Sequence, residues 1–121
     1  MIAEDVRRFI LTSIPSVPHL EALLLVRREG DTEWDESLLA RRLYIAEKTA
    51  RTVLADLGEA GFVVSVRENG AAFRYSPASG EQAELLDRVA EAYVHNLIEV
   101  TNLIHGRSAL LFADAFRIRK D

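Results

Sequence analysis

The fold of this chain is decided by residues 38–76, which read LLARRLYIAEKTARTVLADLGEAGFVVSVRENGAAFRYS. Apolar residues recur at helical spacing on both sides of a break at Tyr44-Ile45, which predicts two helices joined by a tight turn. The residues on the apolar faces are Leu38, Leu39 and Leu43 before the break, and Ala50, Val53, Leu54 and Leu57 after it. Gly61 then ends the second helix, because glycine readily adopts the left-handed conformation found just past helix ends.

A short β-hairpin is predicted directly after the second helix. Two runs rich in β-branched and aromatic residues, 62–66 and 72–75, surround the dipeptide Asn69-Gly70. That dipeptide favours the positive φ angles of a hairpin turn, so the two runs are interpreted as its strands.

The residues before this stretch predict two further helices and a short extended piece. Residues 3–13 form a short amphipathic helix, and the strongly apolar residues 18–28 form the central helix of the core. Trp34, the only tryptophan, is expected in a short strand position, buried beneath the hairpin. Asp35 is expected to cap the helix that begins at Glu36, because its carboxylate can accept hydrogen bonds from the first amides.

A long helix is predicted from Glu81, after the linker at residues 77–80. Its apolar residues recur every three or four positions over about six turns, a stripe longer than a small domain can cover. We therefore expect a homodimer, since two-fold dimers are the commonest soluble oligomers. The predicted interface residues are Leu86, Val89, Tyr93, Leu97, Val100 and Ile104. Residues 109–118, beyond Gly106, predict a shorter terminal helix.

Three segments follow from these boundaries. Residues 1–17 form an N-terminal helical arm, residues 18–77 form the central domain, and residues 78–121 form a helical dimerisation segment. The predicted fold class is mainly α with a small β-hairpin (α+β).

Composition narrows the possible compartments and partners. The 121 residues carry a formal net charge of −4 and no cysteine, which excludes disulfides and thiolate metal sites. Neither a secretion signal nor an apolar run of the ~20 residues that span a membrane is present, so a cytoplasmic protein is expected. The acidic balance counts against indiscriminate nucleic-acid binding but leaves room for a local basic face, since five of the eight basic residues between Ser13 and Ser76 fall within residues 41–67.

Catalytic motifs are not found, and an enzyme is not expected. The three histidines are scattered, and neither a phosphate-cradling glycine loop nor an H-E-x-x-H motif occurs. Glu91, His95 and Glu99 are spaced by four on one helix face, which is more typical of a solvated ion-pair ladder than of a metal site. No cofactor is expected.

The order of helix, turn, helix and hairpin is that of a winged helix-turn-helix. Residues 36–76, about a third of the chain, resemble the corresponding part of MarR-type and related bacterial winged-helix regulators. The likeness rests on an apolar helix, a turn, a helix containing threonine, and the string LADLGEAGFVVSV that leads into the wing. It implies a transcriptional regulator that binds double-stranded DNA as a homodimer.

In such proteins the second helix of the motif enters the major groove, and the wing contacts the backbone. Two recognition helices of a dimer would then lie about one DNA turn, ~34 Å, apart. The residues that the resemblance assigns to DNA are Arg41, Arg42, Glu47, Lys48, Arg51, Thr52, Arg67 and Arg74.

Three features depart from the family pattern and count against DNA binding, and the bare wing tip, together with the acidic balance, favours an alternative. Ile45-Ala46 offers no side-chain cap for the second helix, Tyr44 stands where glycine is common, and the wing tip at residues 68–72 lacks a basic residue. The alternative is a winged-helix adaptor that uses the same surface to bind a protein partner.

Overall fold

The computed structural model describes residues 2–68 and 70–106. Its elements are α1 (Glu4–Ser13), α2 (Val17–Arg28), α3 (Glu36–Leu43), α4 (Glu47–Glu59), β1 (Val63–Ser65), β2 (Phe73–Tyr75) and α5 (Gly80–His95). Residues 97–106 are helical as well. The described chain is thus mainly helical with one small antiparallel sheet, which confirms the predicted α+β class. No single helix of this part is long and apolar enough to cross a membrane.

The chain divides into two compact units. One consists of Pro18–Leu86, and the other combines the residues up to Val17 with those from Asp87 onward. The first unit therefore contains α2 from Pro18 onward, α3, α4, both strands and the start of α5, whereas the second contains α1, the rest of α5 and residues 97–106.

Trp34, in the larger unit, is completely buried as predicted. Its amide donates to the Phe73 carbonyl at 2.7 Å, and the Phe73 amide donates back to the Trp34 carbonyl at 2.8 Å. This isolated antiparallel bridge joins the segment before α3 to strand β2. The Arg42 guanidinium lies 5.5 Å from the centroid of the Trp34 ring, within the range of a cation–π contact.

Helix α3 begins at a side-chain cap and ends at a residue in the left-handed conformation. The Asp35 carboxylate accepts a hydrogen bond from the Leu38 amide at 2.8 Å, which confirms the predicted cap. Tyr44 ends the helix in the left-handed conformation, with φ 57° and ψ 45°. The next helix, α4, begins after Ala46 without any side-chain cap, as Ile45-Ala46 predicted.

The hairpin follows α4 through a left-handed glycine. Gly61 has φ +87°, and the Phe62 amide donates to the Leu57 carbonyl at 3.0 Å. Strands β1 and β2 pair antiparallel, with Val64 opposite Arg74. Each strand is slightly shorter than its predicted run. Of the predicted turn dipeptide, Gly70 has φ +69°, whereas Asn69 lies outside the described residues.

In the smaller unit the predicted continuous helix is wrong, because it is interrupted at Asn96. The Asn96 amide still donates to Ala92 at 2.7 Å and the Val100 amide donates to Asn96 at 2.9 Å, so hydrogen bonds span the break. Asp5 of α1 pairs with Arg88 of α5 at 2.6 Å, and this guanidinium lowers the pKa of Asp5. The predicted helix at residues 109–118 lies outside the described residues.

The Trp34 ring gives the first prediction. Trp34→Ala should lower the free energy of unfolding by about 3–5 kcal/mol, the usual cost of truncating a large aromatic in a core. Trp34→Phe should cost clearly less, because the indole Nε1 is buried with no acceptor in the described chain and its loss removes that penalty. Urea unfolding followed by circular dichroism, at one fixed protein concentration, measures both. A Trp34→Ala loss below about 1 kcal/mol would contradict the assignment.

Candidate functional site

The exposed stripe of α4 is the candidate site. Its buried face is made of Ala50, Val53, Leu54 and Leu57. The helical repeat places Lys48, Thr52, Ala55 and Glu59 on the opposite side, and all four are exposed. Basic and hydroxyl groups occupy the N-terminal half of this stripe, and an acidic group occupies its end. The half of the stripe that can approach an anion is therefore the N-terminal half, which lies nearest the turn between α3 and α4.

All eight residues that the sequence assigned to DNA are solvent-exposed. They are Arg41 and Arg42 on α3, Glu47, Lys48, Arg51 and Thr52 on α4, Arg67 after β1, and Arg74 on β2. Their charges are not equally available, because carboxylates from distant positions in the sequence lie against three of the arginines. The hydroxyl of Thr52 donates to the Lys48 carbonyl of its own helix at 3.2 Å.

Arg51 is held by the first residue of α3. Its Nε donates to Glu36 Oε2 at 2.5 Å, and a terminal nitrogen lies 3.3 Å from Glu36 Oε1. The paired guanidinium, mainly through these hydrogen bonds, holds the pKa of Glu36 below its ordinary value. Both side chains line a groove of about 420 Å³ that also contacts Gly70 and Ala71 of the hairpin and Phe73 of β2. Arg51 therefore faces the space between α4 and the hairpin.

The Arg42 side chain is less exposed than that of Arg51, 38% against 66%, and it contacts an aromatic ring as well as a carboxylate. One terminal nitrogen donates to Glu29 Oε1 at 3.0 Å and the other contacts Glu29 Oε2, while the guanidinium lies over the Trp34 ring. The fork geometry fits a carboxylate at two points at once. Hydrogen bonding to Arg42 holds the pKa of Glu29 below its ordinary value. Arg42 thus joins the end of α3 to the end of α2.

Three of the eight residues are cations without a carboxylate partner. Arg41, Lys48 and Arg74 make no side-chain hydrogen bond or ion pair within the described residues. Arg67, in contrast, lies 3.7 Å from a Glu33 oxygen. The positive charge that the larger unit can offer to an external anion therefore comes first from these three side chains.

The start of α4 adds uncharged donors to this set. No side chain caps the helix, and the amides of Glu47, Lys48 and Thr49 have no acceptor within the described chain. Unpaired amides and the helix dipole together favour an anion at this end. The carboxylate of Glu47 lies in the same turn and is the one acidic group of the first turn.

The opposite flank of α4 is anchored to α2. His19 Nε2 lies 2.8 Å from Asp56 Oδ2, and the His19 side chain is only 12% exposed. No local sequence signal indicates this contact, since the two residues are 37 positions apart and neither belongs to a motif. The Arg51–Glu36 pair thus connects α4 to α3, and the Asp56–His19 contact connects α4 to α2.

The structure restricts the predicted dimer interface. Leu86, Val89, Val100 and Ile104 are buried within the single chain, so they are not accessible to a second copy, and Tyr93 is half-buried. Of the six predicted residues, Leu97 alone is exposed, at 52%. Val94 and Ile98, which are close to Leu97 in the sequence but outside the predicted interface, are each 76% exposed. Val94, Leu97 and Ile98, which flank the break at Asn96, are called the break patch.

Within residues 2–68 and 70–106, no group of three or more His, Cys, Asp or Glu side chains is placed to hold a metal ion, the Glu91–His95–Glu99 series included.

No family model matches the chain, and neither a curated protein nor a solved structure matches it. The resemblance to MarR-type regulators therefore stays a prediction.

The two arginine–glutamate pairs predict a pH dependence. Because Arg42 and Arg51 lower the pKa of Glu29 and Glu36, each pair contributes stability above the unfolded glutamate pKa of about 4.3 and loses it as pH falls through the lower folded value. Carboxyl titration by NMR should show both midpoints below that value. Arg51→Gln should raise the Glu36 midpoint and leave that of Glu29 unchanged, and a joint shift or no shift would contradict the pairing.

Proposed function

We propose that the chain is a DNA-binding transcriptional regulator with a winged helix-turn-helix domain at residues 18–77, in which α4 is the recognition helix. The observation that carries this proposal is the outward, N-terminal half of α4. Within the described residues, exposed Lys48 and the uncapped first amides of α4 have no partner, and exposed Arg41 on the preceding helix has none either. Phosphates are the anions that such a set of donors suits best.

The paired arginines fit the same function in different roles. Exposed ion pairs are worth only about 0–1 kcal/mol, so a DNA phosphate can displace Glu36 from Arg51 at little cost. Arg42 is held by Glu29 at two points and packs over Trp34, and we assign it to holding α3 in place. The contact set proposed for DNA is therefore Arg41, Lys48, Arg51 and Thr52, with Arg74 on the hairpin side.

We also propose that the protein is a homodimer associated through the break patch. Three large apolar side chains exposed within five residues are costly in water, and a second copy related by a two-fold axis would cover the same patch on both chains. Interruption of the helix at Asn96 places the patch where two helical segments meet.

The DNA proposal predicts the effect of removing two unpaired cations. Arg41→Gln/Lys48→Gln should weaken binding to duplex DNA from the protein's own promoter region by about tenfold or more, and should reduce the slope of log affinity against log salt by about two. Anisotropy titrations over a salt series measure both. The matched control is Arg7→Gln/Arg8→Gln on α1, which removes the same net charge from exposed side chains and should change neither quantity.

Binding that is equal in both double variants would contradict the assignment of the site. Absence of wild-type binding to any fragment of its own genome at low micromolar concentration would contradict DNA binding altogether.

One observation favours a second candidate, a winged-helix adaptor that binds a protein. Three of the six predicted cationic contacts, Arg42, Arg51 and Arg67, already face carboxylates of the same chain. Val64 of β1 is also exposed, at 46%, where a protein could cover it. If the protein is an adaptor, wild-type binding to DNA should be negligible at physiological salt. A protein partner captured by the wild type in a pull-down should then be lost in Lys48→Glu.

The dimer proposal predicts the result of placing a charge in the break patch. Leu97→Glu should give a folded monomer, because the side chain is half-exposed and its replacement leaves the buried residues intact. The control is Val64→Glu, an exposed apolar residue of the other unit, which should remain dimeric. Light scattering measures the mass of each protein. A monomeric wild type, or a dimeric Leu97→Glu, would contradict the proposal.

A further inference from the structure

Tyr44 adopts a backbone conformation that disfavours its own side chain. Its φ of 57° and ψ of 45° lie in the left-handed region, and it is the one non-glycine residue with positive φ in the described chain. Bulky side chains are uncommon there, whereas glycine and asparagine enter it readily. The turn itself therefore does not explain why the residue is tyrosine.

Packing does not explain it either. The Tyr44 side chain is 95% exposed, more than any other large apolar or aromatic side chain of the described residues. The hydrogen bonds of the turn are made by backbone atoms, since the Tyr44 and Ile45 amides both donate to the Ala40 carbonyl. An asparagine would keep those bonds. Strained, exposed residues concentrate at functional sites, where the side chain is required for something outside the fold.

The neighbours of Tyr44 indicate what that requirement is. Arg41 lies in the last turn of α3 and Lys48 in the first turn of α4, and neither has a partner in the described chain. The uncapped amides of α4 follow directly after the turn. Tyr44 thus places a phenol between two cations in the sequence, at the turn that leads into the recognition helix. A phenol donates a hydrogen bond to an anionic oxygen, and its ring packs on apolar surface.

We propose that Tyr44 is a DNA-backbone contact of the turn: its hydroxyl donates to a phosphate oxygen, and its ring packs against the adjoining deoxyribose. The assignment rests on the proposed DNA-binding function and extends it to a residue outside the predicted contact set. A protein surface could also accept an exposed tyrosine. The unpaired cations on both sides favour the phosphate backbone, so a protein partner is an outcome of the test.

The test compares stability with affinity in two variants. Tyr44→Asn keeps a residue that tolerates the left-handed conformation, so its urea midpoint should equal or exceed that of the wild type. Its affinity for promoter DNA should fall roughly tenfold, the value of one charge-assisted hydrogen bond with its ring contact. Tyr44→Phe should lose roughly threefold, since it keeps the ring. The salt slope should be unchanged in both, because a neutral side chain releases no counterion.

A second readout uses the wild-type protein, so it does not depend on whether a variant folds. Nitration of Tyr44 should be rapid in the free protein and suppressed by DNA, whereas half-buried Tyr75 and Tyr93 provide internal controls. A Tyr44→Asn variant that binds DNA like the wild type, or nitration unaffected by DNA, would overturn the Tyr44 assignment alone. A Tyr44→Asn variant that loses a protein partner while DNA binding is intact would overturn it in favour of a protein contact. A wild type that binds no DNA would overturn the DNA-binding proposal itself.

Discussion

The backbone bridge between Trp34 and Phe73 is the interaction on which the larger unit depends. It ties the segment before α3 to strand β2 through two hydrogen bonds around a fully buried indole. Asp35, the next residue, caps α3, so the bridge also fixes where that helix begins. Arg42 then closes the arrangement by contacting both the Trp34 ring and Glu29 at the end of α2. The position of α3, and of the turn that carries α4, follows from this one residue and its neighbours.

Charge pairing decides which part of this acidic chain can bind an anion. With a net charge of −4, positive surface arises only where cations are segregated from carboxylates. Glu29, Glu33 and Glu36 each face an arginine, so among the predicted contacts Arg41, Lys48 and Arg74 are the cations without a partner within residues 2–68 and 70–106. Two of these three lie on either side of the turn before α4. The proposed site is therefore small, and its affinity for DNA should depend on a few contacts rather than on bulk charge.

The elements of the fold could be predicted because their signals are local. Asp35 as a cap, Gly61 as a stop and Trp34 as a buried anchor are each recognisable from a few neighbouring residues, and the structure confirms them. The break at Asn96 could not be predicted, since neither glycine nor proline marks it. The pairs Glu29–Arg42, Glu36–Arg51 and His19–Asp56 were missed because their members are 13, 15 and 37 residues apart. Helical spacing likewise identified an apolar stripe but could not tell that Val89 and Val100 are buried within the chain itself.

The central claim, that the start of α4 meets DNA, is tested most directly by following backbone amide signals in isotope-labelled protein as short duplex DNA is added at low salt. The account predicts that the amides of Lys48, Thr49 and Arg51 shift first, and that the shifts disappear as salt is raised, because phosphate contacts are lost when counterions compete. Amides of α1 should stay unchanged. Shifts confined to α1 or to residues 97–106, or the absence of any shift at low salt, would contradict the account.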